Sequence, residues 1–153
     1  MAGLSVGDRA PEFTLPDETG REVSLKELRE AGPVVVYFYP RDDTPGCTVE
    51  ACTFRDSYEE FVGAGATVVG ISADDGGSHQ AFRSKHGLPF VLLTDADGSV
   101  AAAYGVKKTL GLLPGRATFV LDREGIVQSA FSSQLRVRQH VERALDVVRR
   151  LAS

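Results

Sequence analysis

Apolar positions along the chain follow two patterns, one of period two and one of helical period, and their alternation predicts the architecture. Residues 11–15 and 21–25 alternate apolar with polar, and Asp17, Glu18, Thr19 and Gly20 between them read as a turn, so an N-terminal hairpin is expected. Residues 34–39 form an unbroken β-branched and aromatic run, which suits a strand covered on both faces, and Pro40 ends it. Residues 66–72 and 89–93 predict two further buried strands. Residues 117–121 and 126–131 predict a hairpin around Asp122 to Gly125. Between the strands lie helical stretches. Ser24 caps a short one over 25–30, stopped by Gly32 and Pro33. Thr44 and Pro45 open a helix that reaches about Phe61, with Gly63 and Gly65 as stops. Residues 78–86 read as a helix closed by Gly87, and 99–104 as one turn or two after Asp97 and Gly98. In the last segment Val137, Val141, Ala144, Leu145, Val148 and Leu151 recur at helical spacing. Its arginines, Arg136, Arg138, Arg143, Arg149 and Arg150, mostly take the other face. They suit a solvated face near a helix C-terminus better than a basic docking surface.

Strands alternating with helices and a terminal hairpin imply a central mixed β-sheet with helices on both faces, an α/β fold. The 153 residues fit one domain, 1–153, large enough to bury a core without a disulfide framework or structural metal. The net charge of −4 with scattered basic residues argues against nucleic acid as a partner. No run of 18 apolar residues exists, so no membrane span is expected. The first eleven residues lack a basic and apolar leader pattern, so the expected compartment is cytoplasmic.

Two cysteines, Cys47 and Cys52, remain to be explained. In a reducing compartment two cysteines are either incidental core residues or chemistry. With Thr44 as N-cap, Pro45 sits at the first helical position and Cys47 at the third. Backbone N–H groups there lack intrahelical partners and the helix dipole is positive, and both favour a thiolate, the nucleophilic form. The site also lies after the carboxyl end of a buried strand, where α/β folds place their chemistry. Cys52 falls in the same helix. Five residues of helix separate the two Cα atoms by about 8.6 Å. That exceeds the reach of a disulfide, so pairing requires the first turns to unwind. The spacing is not C-x-x-C, and His79, His86 and His140 are too scattered for a zinc site, so the histidines are expected to be surface or helix-end groups without a role.

Pro40, Thr44 and Cys47, in the spacing Pro-x-x-x-Thr-x-x-Cys, match the active-site signature of peroxiredoxins. The run from Tyr37 to Cys52 closely resembles the bacterioferritin-comigratory, or Q-type, group. Residues 10–15, 70–72, 88–90 and 116–122 resemble further landmarks of that family, so the resemblance extends over most of the chain. Arg41 stands where lysine is common, and residues 107–115 match least well.

The resemblance implies a thioredoxin-like fold and an atypical two-cysteine thiol peroxidase without metal or organic cofactor. It implies Cys47 as the attacking thiolate and Cys52 as the resolving cysteine, forming an intramolecular disulfide. It also implies Thr44 and Arg116 as donors to the charge that develops on the peroxide oxygens, and Pro40 as a shield over the sulfur. Implied partners are peroxides and thioredoxin or a similar dithiol, with a monomer or weak homodimer as the assembly. Glu50 is left between a hydrogen-bonding role and a solvated helix face, and Arg41 is a weaker candidate. A redox sensor using the same cysteines, a one-cysteine peroxidase and a scaffold of this fold are the competing readings. The apolar segment 110–114 is read as a loop folded onto the core rather than an interface or pocket rim.

Overall fold

The computed structural model describes residues 4–109 and 113–152, with 108, 109, 113 and 114 described through their backbone alone. The segment 110–114 therefore lies outside the described side chains. In chain order the elements are β1 (Thr14–Pro16), β2 (Glu22–Ser24), α1 (Leu25–Glu30), β3 (Val34–Phe38), α2 (Pro45–Asp56), α3 (Tyr58–Gly63), β4 (Thr67–Ser72) and α4 (Gly76–His86). They continue with β5 (Val91–Thr94), α5 (Ser99–Ala103), β6 (Lys108–Thr109), β7 (Leu113–Pro114), β8 (Ala117–Leu121), β9 (Val127–Ser132) and α6 (Val137–Ala152).

A five-stranded sheet in the order β5-β4-β3-β8-β9 forms the centre. β3 runs parallel to β4, and β4 to β5, whereas β8 is antiparallel to both β3 and β9. The mixed sheet and the N-terminal β1–β2 hairpin are as the patterning predicts. All five residues of β3 are buried because both faces of the sheet are covered. Its alternate side chains divide the core in two. Val35, Tyr37 and Tyr39 pack with residues of α2, α3, α4 and α6. Val34, Val36 and Phe38 pack with residues of the hairpin, α1 and α5. Under α2 the Tyr37 and Phe54 rings stack at 4.5 Å, a contact worth about 0.5–1.5 kcal/mol beyond the area it buries.

The helix expected to run from Thr44 to about Phe61 is broken. Ser57 adopts φ −99° and ψ 5°, ends α2 and starts α3. Serine offers a helix interior little, because its hydroxyl competes for nearby backbone groups. α4 begins two residues before the expected start, since the Asp75 carboxylate accepts the Ser78 N–H at 2.8 Å and makes Asp75 the cap. Gly87 closes α4 at φ 59°, the left-handed position foreseen for it. Among the described residues no helix is long and apolar enough to cross a membrane.

Candidate active site

β3 carries the chain to the end of the sheet, and residues 40–44 turn it into α2. Pro45 is the first helical residue and Cys47 the third, as the sequence predicts. The first helical bond runs from Thr48 N to the Thr44 carbonyl, so the amides of Gly46 and Cys47 precede the helical ladder. Cys47 is 1% exposed and packs in the cluster that contains Tyr37, Tyr39 and Ala51. Thr44 has the extended backbone of an N-cap, but its side chain does not cap α2. Its hydroxyl donates instead to the Arg41 carbonyl at 2.9 Å. That bond engages the hydroxyl proton and leaves the oxygen lone pairs as acceptors. Pro40 is half-buried at the exit of β3, and Arg41 is exposed.

Arg116, just before β8, is the long-range partner. Its Nη2 donates to Cys47 Sγ at 3.5 Å and its Nη1 to Glu50 Oε1 at 2.6 Å. The planar guanidinium fork thus reaches two side chains of one helix face. Gly46 eases the approach: a Cβ there would lie 3.0 Å from Arg116 Nη2, tight enough to displace it by a few tenths of an ångström. Glu50 is fully buried rather than on a solvated face, which settles the alternative left open for it. Burial pushes its carboxyl up to about 8 against the pull of Arg116. Arg116 is thus shared between a buried carboxyl and the sulfur.

The expectation that the histidines lie at the surface is wrong for two of them. His140 and His79 are fully buried. Each sits on a helix face turned to the sheet, where both ring nitrogens find partners. His140 Nε2 donates to the Ser133 carbonyl at 2.8 Å, and Nδ1 lies 2.8 Å from the Thr118 hydroxyl. Burial pulls its imidazole down to about 4, so the ring is neutral and Thr118 donates to Nδ1. Nδ1 also lies 3.8 Å from Glu50 Oε2. His86, in the last turn of α4, is the helix-end group expected.

Cys52 is a half-buried free thiol on the same unbroken helix as the free thiol of Cys47. The structure therefore brings Cys47, Arg116 and Glu50 together and holds Cys52 apart from them by helix geometry. Among the described residues, Asp42, Asp74 and His79 place three donor atoms within 4.8 Å of one another. Each of these side chains is already hydrogen-bonded within the protein, which disfavours a cation there. Arg116 also lines a cavity of about 480 Å³ with Tyr104, Val106 and Phe119.

Residues 6–130 match the AhpC/TSA family. The chain belongs to that family. Within it, its relatives include peroxiredoxins of the Q group. The chain is 50% identical over 149 residues to the chloroplastic peroxiredoxin Q of Oryza sativa subsp. japonica, covering 97% of this chain and 68% of that one. The peroxidoxin BcpB of Mycobacterium tuberculosis superposes with a TM-score of 0.91 at 42% identity, over 97% of this chain and 98% of that one. The bacterioferritin comigratory protein of Xanthomonas campestris, described for its alkyl peroxide reduction activity, superposes with a TM-score of 0.83 at 33% identity, over 92% of each chain. This peroxiredoxin is accordingly an oxidoreductase of the peroxidase type with a thioredoxin-like fold.

Proposed function

We propose that the chain reduces hydrogen peroxide and organic hydroperoxides in a two-cysteine cycle. The Cys47 thiolate attacks the terminal peroxide oxygen, the O–O bond breaks, and the leaving oxygen takes a proton to depart as water or an alcohol. Cys47 is left as a sulfenic acid. The Cys52 thiol then attacks that sulfur, expels water and forms the intramolecular disulfide. An external dithiol, thioredoxin or a similar protein, takes over the disulfide and returns both thiols. No metal or organic cofactor enters the scheme. The contact of Arg116 with Cys47 Sγ carries this reading, since a fixed cation beside the nucleophile stabilises the thiolate and the charge that builds on the peroxide oxygens. Thr44 Oγ1, which gives its hydrogen to the Arg41 carbonyl, accepts the peroxide hydrogen in this reading, and Pro40 is the shield over the sulfur. The dithiol requirement favours a reducing compartment such as the cytoplasm.

The test is anaerobic mixing of reduced protein with one equivalent of hydrogen peroxide, followed by thiol counting and mass analysis. The wild type is expected to lose both thiols and two hydrogens of mass. Cys52→Ser is expected to lose one thiol and gain one oxygen, and Cys47→Ser to remain unreactive. A Cys47→Ser variant that still consumes peroxide overturns the scheme.

A further inference from the structure

The loop that delivers Cys47 is tied to α4 by contacts that the peroxide chemistry does not use. Asp42 is buried, five residues before Cys47. Its Oδ1 accepts the Tyr39 hydroxyl at 2.5 Å. Its Oδ2 accepts the Ser78 hydroxyl at 2.8 Å and faces His79 Nδ1 at 2.7 Å. Its backbone N–H donates to Asp74 Oδ2 at 2.8 Å, and the Ser72 hydroxyl holds that same oxygen at 2.6 Å. The far side of the His79 ring fixes the proton count. Nε2 lies 3.1 Å from the Leu93 carbonyl, which can only accept, so Nε2 carries a hydrogen. Nδ1 then meets a carboxylate oxygen that already accepts from Ser78, so a second proton must lie between Nδ1 and Oδ2. The two side chains are joined by a 2.7 Å hydrogen bond with both partners out of solvent.

The next residue makes a second tie. Asp43 has φ 59°, the left-handed region, and among the described residues it is the one non-glycine with positive φ. Lys85 Nζ reaches its carboxylate at 2.9 Å and His86 Nε2 at 3.4 Å. One helix thus anchors two adjacent residues: its first turn holds Asp42 and its last turn holds Asp43. Thr44 and the start of α2 follow directly.

We propose that Asp42 and His79 are positioning residues. They hold the 40–44 loop so that α2 begins at Pro45 with Cys47 beneath Arg116, and they fix the point from which α2 unwinds. The second half rests on the two-cysteine cycle proposed above; the first does not. Releasing the tie lowers the population of the ordered helix start, which the peroxide step needs, and raises that of the unwound start, which the disulfide step needs.

The two steps therefore respond differently, and rapid mixing reads them separately. Asp42→Ala and His79→Ala are expected to slow Cys47 oxidation about tenfold or more, as small misplacements at reacting groups do. Disulfide formation is expected to stay at the wild-type rate or to quicken. Asp42→Asn can still accept from Tyr39 and can donate its amide to an unprotonated Nδ1, so it is expected to keep oxidation within about threefold of wild type. Unchanged oxidation in both alanine variants overturns the proposal. So does equal slowing of both steps together with a fall in Tm and no rescue by asparagine, the signature of a merely structural role. Should the alanine variants fail to fold, Ser78→Ala removes one of the bonds to Asp42 and is expected to slow oxidation alone, by about threefold; no change there overturns the proposal equally. A wild type that loses one thiol instead of two overturns the two-cysteine cycle and leaves the comparison of oxidation rates intact.

Discussion

At the scale of single residues the site is organised around one guanidinium with two duties. Arg116 binds Glu50 through one arm and the Cys47 sulfur through the other, and Gly46 supplies the space in which it does so. Gly46→Ala separates helix stability from chemistry. Alanine is the better helix former by about 1 kcal/mol, so thermal or chemical unfolding is expected to show no loss of stability. The added Cβ meets Arg116 Nη2 at 3.0 Å and pushes the fork off the sulfur, so Cys47 oxidation is expected to slow. The expected loss is roughly tenfold to a hundredfold, the scale of a displaced charge-stabilising donor. Stopped-flow thiol loss checks the rate, and a variant as fast as wild type removes Gly46 from the account. Cys47 was readable in the sequence because a capping pattern and a motif spacing announce it, whereas Arg116 came into view only through the family resemblance. Gly46, Glu50, His79 and His140 were not readable. Their roles depend on what lies across the fold, such as a guanidinium that arrives 66 residues after Glu50. A glutamate three residues after a nucleophile reads as surface until its partner is in place. The one cheap signal for the histidines was the helix stripe of His79, Phe82 and His86, whose spacing puts them on one face of α4.

At the scale of elements the decisive fact is that both cysteines ride on one continuous helix. The strands were legible because β-branched runs covered on both faces look alike in any mixed sheet, and the last helix because its apolar stripe is regular. The break at Ser57 was not legible, since Phe54 and Phe61 stand at a spacing that one unbroken helix would also satisfy. The helix that matters opposes the proposed disulfide, because Cys47 and Cys52 meet only after its first turns unwind. Thr48 lies between them and is half-buried. Thr48→Ala raises helix propensity by roughly 0.5 kcal/mol, which lowers the unwound population about twofold. Disulfide formation is expected to slow by that factor while Cys47 oxidation holds its rate, and excess peroxide is expected to carry more Cys47 on to sulfinic acid. Mass spectrometry after a peroxide titration gives both readings. A faster disulfide step in this variant contradicts unwinding as the route.

At the scale of the whole molecule, Glu50 and His140 join α2 to α6 beside Arg116 and β8, and their shared burial makes global stability depend on pH. Burial raises the Glu50 carboxyl from 4.5 to about 8 and lowers the His140 imidazole from 6.5 to about 4. The Glu50 contribution is complete below pH 4.5, where the unfolded chain is protonated too, and is lost as pH rises through 8. The His140 contribution is complete above pH 6.5 and is lost as pH falls through 4. Between pH 4.5 and 6.5 the unfolded chain carries its proton on the histidine and the folded chain on the glutamate, so the two slopes cancel. From pH 6.5 to 8 only the folded chain holds a proton at this pair, and stability falls, by on the order of 2 kcal/mol across the window. Glu50→Gln keeps an oxygen for Arg116 Nη1 and removes the titration. Urea unfolding at pH 6.5 and pH 8.5 is expected to show the fall in the wild type and a flat response in Glu50→Gln. Equal falls in both proteins would assign the pH dependence to other groups and return Glu50 to an ionised partner of Arg116. The same substitution bears on activity, because ionisation of Glu50 above about pH 8 places a full negative charge beside the guanidinium that also reaches the sulfur and offsets its positive field there. Cys47 oxidation in the wild type should therefore slow above that pH relative to Glu50→Gln, with the two rate profiles parting where the two stability profiles part.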